Sequence, residues 1–275
     1  MTTAKPLVDV LYEVVDGTTA LITINRPERY NAFTARTVEE LVGAFRRAWS
    51  DRTVRAIVLT GAGDKAFCSG GDVKVRAELG NYGESDSGLW EIEYLHRLIR
   101  EVPKPVIAAV NGWAVGGGHV LHVICDLSIA AETARFGQVG PRVGSFDAGF
   151  GTNFLARVVG EKRAREIWFL CRQYDADQAE RWGLVNKVVP AAELLDEARS
   201  WGREIAQLSP TAIKFLKQSF NVETDHQAGL SALAASGLDL FVETEEAREG
   251  ARAFVEKRPP QFLNGKPPTK EELAS

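Results

Sequence analysis

Two short runs, Ala56–Thr60 (AIVLT) and Val106–Val110 (VIAAV), are apolar almost without interruption. That is the pattern of strands covered on both faces. Each run is followed by a glycine-rich stretch, Gly61–Asp72 and Asn111–Gly118. The second stretch feeds a helix through about Cys125, and Leu127–Ala131 reads as the next strand. Upstream, Leu11–Val15 and Ala20–Asn25 are β-rich runs around Asp16-Gly17, a hairpin signal. Residues Ala35–Trp49 place Val38, Leu41, Val42, Phe45 and Trp49 at helical spacing. Leu89–Arg100 is an amphipathic helix stopped by Pro103 and Pro105. The order strand, helix, strand, glycine-rich loop, helix recurs roughly every 45–50 residues, which predicts repeated ββα units in an α/β chain rather than one open sheet.

Beyond Gly160 the chain turns helical. Lys162–Leu170, Ala176–Arg181, Ala192–Gln207, Thr211–Val222 and Gln227–Lys257 fit helices, and Leu184–Val189 is the one strand among them. This predicts a core over residues 1–200 and a helical region over 201–275. The chain of 275 residues is long enough for a large buried core. Its net charge of -4 speaks against a nucleic-acid surface. Three scattered cysteines predict reduced thiols and no disulfide framework. Met1–Lys5 shows no basic region leading into an apolar one, and no apolar stretch approaches a spanning length. A cytoplasmic protein without membrane or nucleic-acid partners is expected.

The chemistry is concentrated in the two glycine-rich turns, FCSGGD (Phe67–Asp72) and GWAVGGG (Gly112–Gly118). Glycines there can serve tight turns alone. They can also let main-chain N–H groups approach a ligand. Two such turns can aim two donors at one oxygen and so stabilise an enolate or a tetrahedral intermediate. No GxxxxGK[ST] or GxGxxG spacing supports a nucleotide phosphate site.

Ala66–Asp72, followed by NGWAVGGGHVLHVICDLSIAA, resembles the crotonase (enoyl-CoA hydratase/isomerase) superfamily, from about Leu11 to Pro259. The resemblance implies a crotonase-like spiral of ββα repeats with a C-terminal helical trimerisation region. It also implies acyl-CoA thioester substrates and a homo-trimer or a homo-hexamer of two trimers. It places the oxyanion N–H groups at Gly71 and Gly117. It puts Arg29, Ala32, Ser69, Gly70, Asp72 and Lys74 along the coenzyme A cleft. Lys74 suits a phosphate and equally a solvated surface.

The chain departs from the superfamily's hydratases. Their two glutamates would fall at Val120 and Gly140, and neither residue accepts a proton. Phe136–Gly151 (FGQVGPRVGSFDAGFG) and Ala164–Asp175 resemble a different branch. It includes 2-ketocyclohexanecarboxyl-CoA hydrolase, which opens a ring, and 1,4-dihydroxy-2-naphthoyl-CoA synthase, which closes one. The branch implies catalytic positions at Ser145 and Asp147 and a substrate pocket with Tyr82, Gln138, Gly140 and Trp168. Asp147 can move a proton or cap the following helix, and Ser145 can bind substrate or satisfy a turn. Tyr82 lies in LGNYGESDSG, a segment of the kind that forms lids. The synthase holds bicarbonate through Gln, Thr and Trp; here these read Gln138, Val139 and Trp168, and Val242 replaces a tyrosine of both relatives.

The expected activity is therefore a hydrolase or lyase reaction, hydrolytic C–C ring opening of a cyclic β-keto acyl-CoA. It needs no cofactor beyond the coenzyme A of the substrate, and bicarbonate enters only with the synthase. The alternatives are ring closure, enoyl-CoA hydration or isomerisation, and a non-catalytic acyl-CoA binder. His119, His122 and Asp126 lie at helical spacings i, i+3 and i+7 with Cys125 adjacent, and they suit core packing better than a metal, so none is expected. His96 and His226 read as ordinary surface or interface residues.

Overall fold

The computed structural model describes residues 7–262. Ten strands run in chain order among them: β1 (Val10–Val15), β2 (Thr19–Ile24), β3 (Ala56–Gly61), β4 (Ala66–Cys68), β5 (Val106–Val110), β6 (Trp113–Val115), β7 (Leu127–Ala131), β8 (Arg135–Gly137), β9 (Gln173–Asp175) and β10 (Lys187–Val189). The helices are α1 (Ala35–Ser50), α2 (Val73–Leu79), α3 (Ile92–Glu101), α4 (Gly117–Val123), α5 (Leu155–Val159), α6 (Glu161–Leu170), α7 (Ala176–Arg181), α8 (Leu194–Ala206), α9 (Pro210–Val222), α10 (His226–Phe241) and α11 (Glu245–Val255).

β1 and β2 pair antiparallel across a three-residue loop, Asp16-Gly17-Thr18, whose first two residues are at positive φ (53° and 70°) and whose Thr18 N–H donates to the Val15 carbonyl (3.2 Å). From β2 onward the large sheet is parallel, in the order β1-β2-β3-β5-β7-β10. β3 and β5 are buried at every position. Their two faces supply two cores, in keeping with the period of two along a strand. Val58, Ile107, Ala109 and Ile129 pack against Leu194 and Ala198 of α8. Ile57, Leu59, Val106, Ala108 and Val110 join the larger core with Val38, Leu41, Val42 and Phe45 of α1. Thr34 and Thr37 form a capping box at the start of α1.

The second sheet, β4-β6-β8-β9, is built from three-residue strands. It is the reason the chain winds as a spiral. β3, β5 and β7 enter the large sheet, and each is followed directly by β4, β6 or β8 in the small one. The glycine-rich stretches thus contain strands as well as turns. β4, β6 and β8 run parallel, so the turns after these three land on the same side of the molecule, while β9 runs the opposite way.

The helical C-terminal part follows the expected bounds closely, with one difference. The stretch expected as a single helix is broken at Val242–Thr244, where the Thr244 side chain accepts the Ala247 N–H (3.3 Å) and starts α11. The division expected at residue 200 falls inside α8, which lies on the large sheet. α10 and α11 fold back against the spiral. A Cβ on Gly250 would stand 2.3 Å from the Gly144 nitrogen, so α11 sits directly on that loop. No helix among the described residues is long and apolar enough to cross a membrane.

Candidate active site

Two backbone features prepare the first turn. Phe33 bridges Gly71 in parallel fashion: its N–H donates to the Gly70 carbonyl (2.8 Å) and its carbonyl accepts the Asp72 N–H (2.9 Å). This pattern engages the neighbours of Gly71 and turns the N–H of Gly71 itself away from Phe33. In the second turn Gly116 (φ +57°) donates its N–H to the Gly137 carbonyl (3.1 Å). Gly117 then opens α4, so its N–H is a first-turn donor with no acceptor inside the helix.

The turns abut. A Cβ at Gly70 would lie 3.0 Å from the Gly117 nitrogen, and one at Gly118 would lie 1.9 Å from the Cys68 carbonyl oxygen. Phe33 packs its ring where a Gly117 side chain would go, at 2.6 Å. Gly118 is needed because backbone from β4 occupies the place of its side chain.

Both turns line one cavity with about 940 Å³ of free space including its mouth. Of the residues singled out from sequence, Ser69, Gly70, Gly71, Tyr82, Gly117, Gln138, Gly140, Ser145, Asp147 and Trp168 all reach its wall. Arg29, Ala32, Asp72 and Lys74 do not. Asp72 is buried, accepts the Val75 N–H to cap α2, and pairs with Arg26 (3.3 Å) and Arg29 (3.7 Å). Its role is to hold the first turn to the Pro27–Arg29 loop. Ala32 is buried, and its carbonyl accepts from Arg26. Lys74 is exposed on the first turn of α2.

Asp147 sits in the loop before a single wide turn, Phe150–Phe154, and Oδ1 accepts the Gly151 N–H (3.2 Å). It therefore does help to start that turn. It is half-buried and lines the cavity. Desolvation pushes its pKa up to about 6, against the smaller opposing effect of the Gly151 hydrogen bond. A carboxyl poised there is a competent proton acceptor near neutral pH.

Neither position where hydratases carry glutamate offers a carboxyl to the cavity. Val120 is fully buried. A Cβ at Gly140 would stand 2.6 Å from the Ser145 carbonyl oxygen and 3.1 Å from the Trp168 ring. The residues aligned with a bicarbonate site fit that anion poorly. The Trp168 indole N–H donates to the Gly151 carbonyl (2.5 Å), the Gln138 amide nitrogen faces His119 Nδ1 (3.3 Å), and Val139 has no hydroxyl. The Trp168 N–H is engaged and Val139 offers no donor, so the second Gln138 amide hydrogen is the one side-chain donor left among the three.

Tyr82 lies over Gly71: a Cβ there would be 2.4 Å from its ring. It stacks on Trp90 (4.7 Å, 14°), and the Glu39 carboxylate accepts the Asp86 and Ser87 N–H groups at 2.8 Å each. The loop between α2 and α3 is thus fastened both over Gly71 and to Glu39 of α1.

Four polar cavity residues escaped the sequence reading: Arg76, Glu93, His96 and Ser231. His96 was expected at a surface or an interface. It is instead 5% exposed, and burial lowers its pKa to about 4. The available signal was the i, i+3 spacing of Glu93 and His96, which puts both on one face of α3. Arg76 is buried and donates to the Val143 carbonyl (2.6 Å). His119 and His122 pack edge-on to each other and against Phe136 in the core. Among the described residues no group of three or more His, Cys, Asp or Glu is placed to hold a metal.

With this geometry in place, comparison with known proteins is informative. Residues 15–265 match the family described as enoyl-CoA hydratase/isomerase. An enoyl-CoA hydratase from Mycobacterium avium subsp. paratuberculosis K-10 is 28% identical, with a TM-score of 0.82 over 94% of this chain and 100% of that one. A carnitinyl-CoA dehydratase from Mycobacterium avium 104 is 33% identical, with a TM-score of 0.82 over 92% and 98%. A monofunctional enoyl-CoA isomerase from M. smegmatis is 32% identical, with a TM-score of 0.68 over 79% and 94%. A match to the family over nearly the whole chain, on the two-sheet spiral it implies, shows that this protein belongs to the crotonase, or enoyl-CoA hydratase/isomerase, superfamily.

Proposed function

We propose that the protein uses water to open a cyclic β-keto acyl-CoA at a ring C–C bond. One juxtaposition supports this reading. A desolvated carboxyl, Asp147, shares a cavity with the Gly71 and Gly117 turns, while neither hydratase glutamate position carries a carboxyl.

The steps follow from that arrangement. The thioester carbonyl accepts from the N–H groups of Gly71 and Gly117. Ionised Asp147 takes a proton from water as the water oxygen bonds to the ring ketone carbon. The resulting alkoxide collapses and the ring C–C bond breaks. Its electron pair becomes a thioester enolate, held by the same two N–H groups. Asp147 returns its proton to the enolate carbon. The product is an open-chain acyl-CoA bearing a distal carboxyl, with one water added overall. Ser145, two residues from Asp147, hydrogen-bonds the acyl group, and Tyr82 closes the pocket over the thioester. Gln138, Gly140 and Trp168 shape its floor. No cofactor takes part beyond the coenzyme A carried by the substrate.

For the coenzyme A half, Arg29 and Lys74 offer cations near the mouth, with Ala32, Ser69, Gly70 and Asp72 forming the adjacent backbone. The exposed side chains of Phe215, Leu216 and Phe220 on α9 support assembly through the C-terminal helices, as a trimer or a pair of trimers.

One observation favours a second reading. Glu93 gives the cavity a second carboxyl, and two carboxyls are what hydration of an enoyl thioester needs. A turnover assay with 2-ketocyclohexanecarboxyl-CoA, o-succinylbenzoyl-CoA and crotonyl-CoA side by side, with products read by mass, separates the two. The expected result is a gain of one water by the ketone alone. Hydration of crotonyl-CoA at an enzyme-like rate transfers the assignment to Asp147 and Glu93. Loss of water from o-succinylbenzoyl-CoA transfers it to ring closure.

A further inference from the structure

Three cavity-lining residues carry a buried polar atom without a hydrogen-bond partner: Gln138 Oε1, and two on the helices that the proposed steps leave unused. His96 Nε2 and Ser231 Oγ have no hydrogen-bond partner, and their residues are 5% and 7% exposed. Leaving a buried polar group unpaired is unfavourable, so such atoms on residues that line a cavity mark where a ligand's polar atom belongs. Their placement is specific. The His96 ring meets Phe150 edge-on at 6.2 Å, and Ser231 Oγ lies where a Gly149 side chain would be, 2.4 Å from that Cβ. Gly149 and Phe150 follow Asp147 by two and three residues. The unpartnered atoms therefore flank the Asp147 loop, one from α3 and the other from α10.

We infer that His96 Nε2 and Ser231 Oγ form a subsite for an oxygen on the acyl group itself, beside Asp147 and apart from the thioester. This rests on the reading of the cavity as an acyl-CoA site. The substrate class follows: acyl-CoA thioesters with a carbonyl or hydroxyl oxygen on the acyl group, in preference to plain hydrocarbon ones. Buried in apolar surroundings, His96 is neutral at physiological pH and presents one ring N–H as a donor. A neutral donor polarises a ketone without introducing a charge to desolvate. In the ring-opening sequence it would hold the oxygen of the attacked carbonyl as that oxygen becomes an alkoxide, while Gly71 and Gly117 hold the thioester oxygen. Gly149 (φ +107°) admits no side chain, and that leaves Ser231 its place against the loop.

Equilibrium binding of two probes tests the subsite: 2-hydroxycyclohexanecarboxyl-CoA, which has the oxygen but no ketone to attack, and cyclohexanecarboxyl-CoA, which lacks it. The wild-type protein is expected to bind the hydroxy probe roughly tenfold or more tightly, because a site built to pair an oxygen rejects the analogue without it. His96→Leu and Ser231→Ala should each remove most of that ratio by weakening the hydroxy probe only. His96→Gln, which keeps a donor amide, should restore part of it. Unchanged ratios in His96→Leu and Ser231→Ala, with the deoxy probe still bound, overturn the subsite and leave the acyl-CoA reading standing. Failure of the wild-type protein to bind either probe overturns both.

Discussion

Asp147→Asn is expected to lower kcat for ring opening by roughly 10²–10⁴-fold, the range general-base catalysis supplies, while acyl-CoA binding stays within a few-fold. Asparagine matches the shape and keeps a hydrogen-bond acceptor for the Gly151 N–H, but it cannot accept a proton from water. In the wild-type protein, activity should rise with pH along a limb centred near 6, because the ionised carboxylate is the working form. The same group has a stability consequence of definite sign. Folding raises its pKa from 3.8 to about 6, so the folded state binds more protons than the unfolded state between those values. Its contribution to stability is fully present below about pH 4 and is lost as the pH rises through 6. Asp147→Asn should therefore raise Tm at pH 7 and lose that advantage at pH 4. A kcat within tenfold of wild type would remove Asp147 from the chemistry, whatever the Tm shows.

The second large effect is expected at Gly118. Its missing side chain makes room for the Cys68 carbonyl, 1.9 Å from where a Cβ would stand, and the obstacle is backbone. Gly118→Ala must push α4 and β4 apart. Overpacking of this kind costs roughly 1–3 kcal/mol, and more where backbone cannot yield. The displacement separates the turn bearing Gly117 from the turn bearing Gly71. Loss of one oxyanion donor lowers kcat by on the order of 10²–10³-fold, and that loss is the expected signature in whatever fraction remains folded. Chemical denaturation and kcat measured on the same preparation check both effects. Gly43 supplies the control, since a Cβ there meets nothing within 4 Å: Gly43→Ala should leave both quantities near wild type. Equal behaviour of the two variants would mean that close contact between the turns is not what organises the site.

The sequence carried the large sheet well, because β3 and β5 are apolar on both faces and α1 repeats at helical spacing. The small sheet was illegible. Strands of three residues, such as Ala66–Cys68 and Trp113–Val115, are too short to display a period and lie inside glycine-rich stretches that read as loops. The break between α10 and α11 was hidden because Val242-Glu243-Thr244 interrupts no apolar pattern strongly, and only the cap at Thr244 marks it. The site divides in the same way. Motif residues such as Gly71, Gly117 and Asp147 announced themselves through glycine spacing and resemblance. His96 and Ser231 did not: the Glu93–His96 spacing puts those two on one face of α3 but does not say what that face meets, and Ser231 carries no such sign. Their importance comes from a cavity wall assembled by α3 and α10, more than a hundred residues apart.

The account depends on two main-chain amides, from turns distant in sequence, meeting at one oxygen. A crystal structure with cyclohexanecarboxyl-CoA bound tests this directly. The account predicts the thioester oxygen at about 2.7–3.1 Å from both the Gly71 and the Gly117 nitrogen, with the ring extending toward Asp147. A thioester oxygen out of hydrogen-bond reach of either nitrogen, or an acyl group lying outside this cavity, would contradict it.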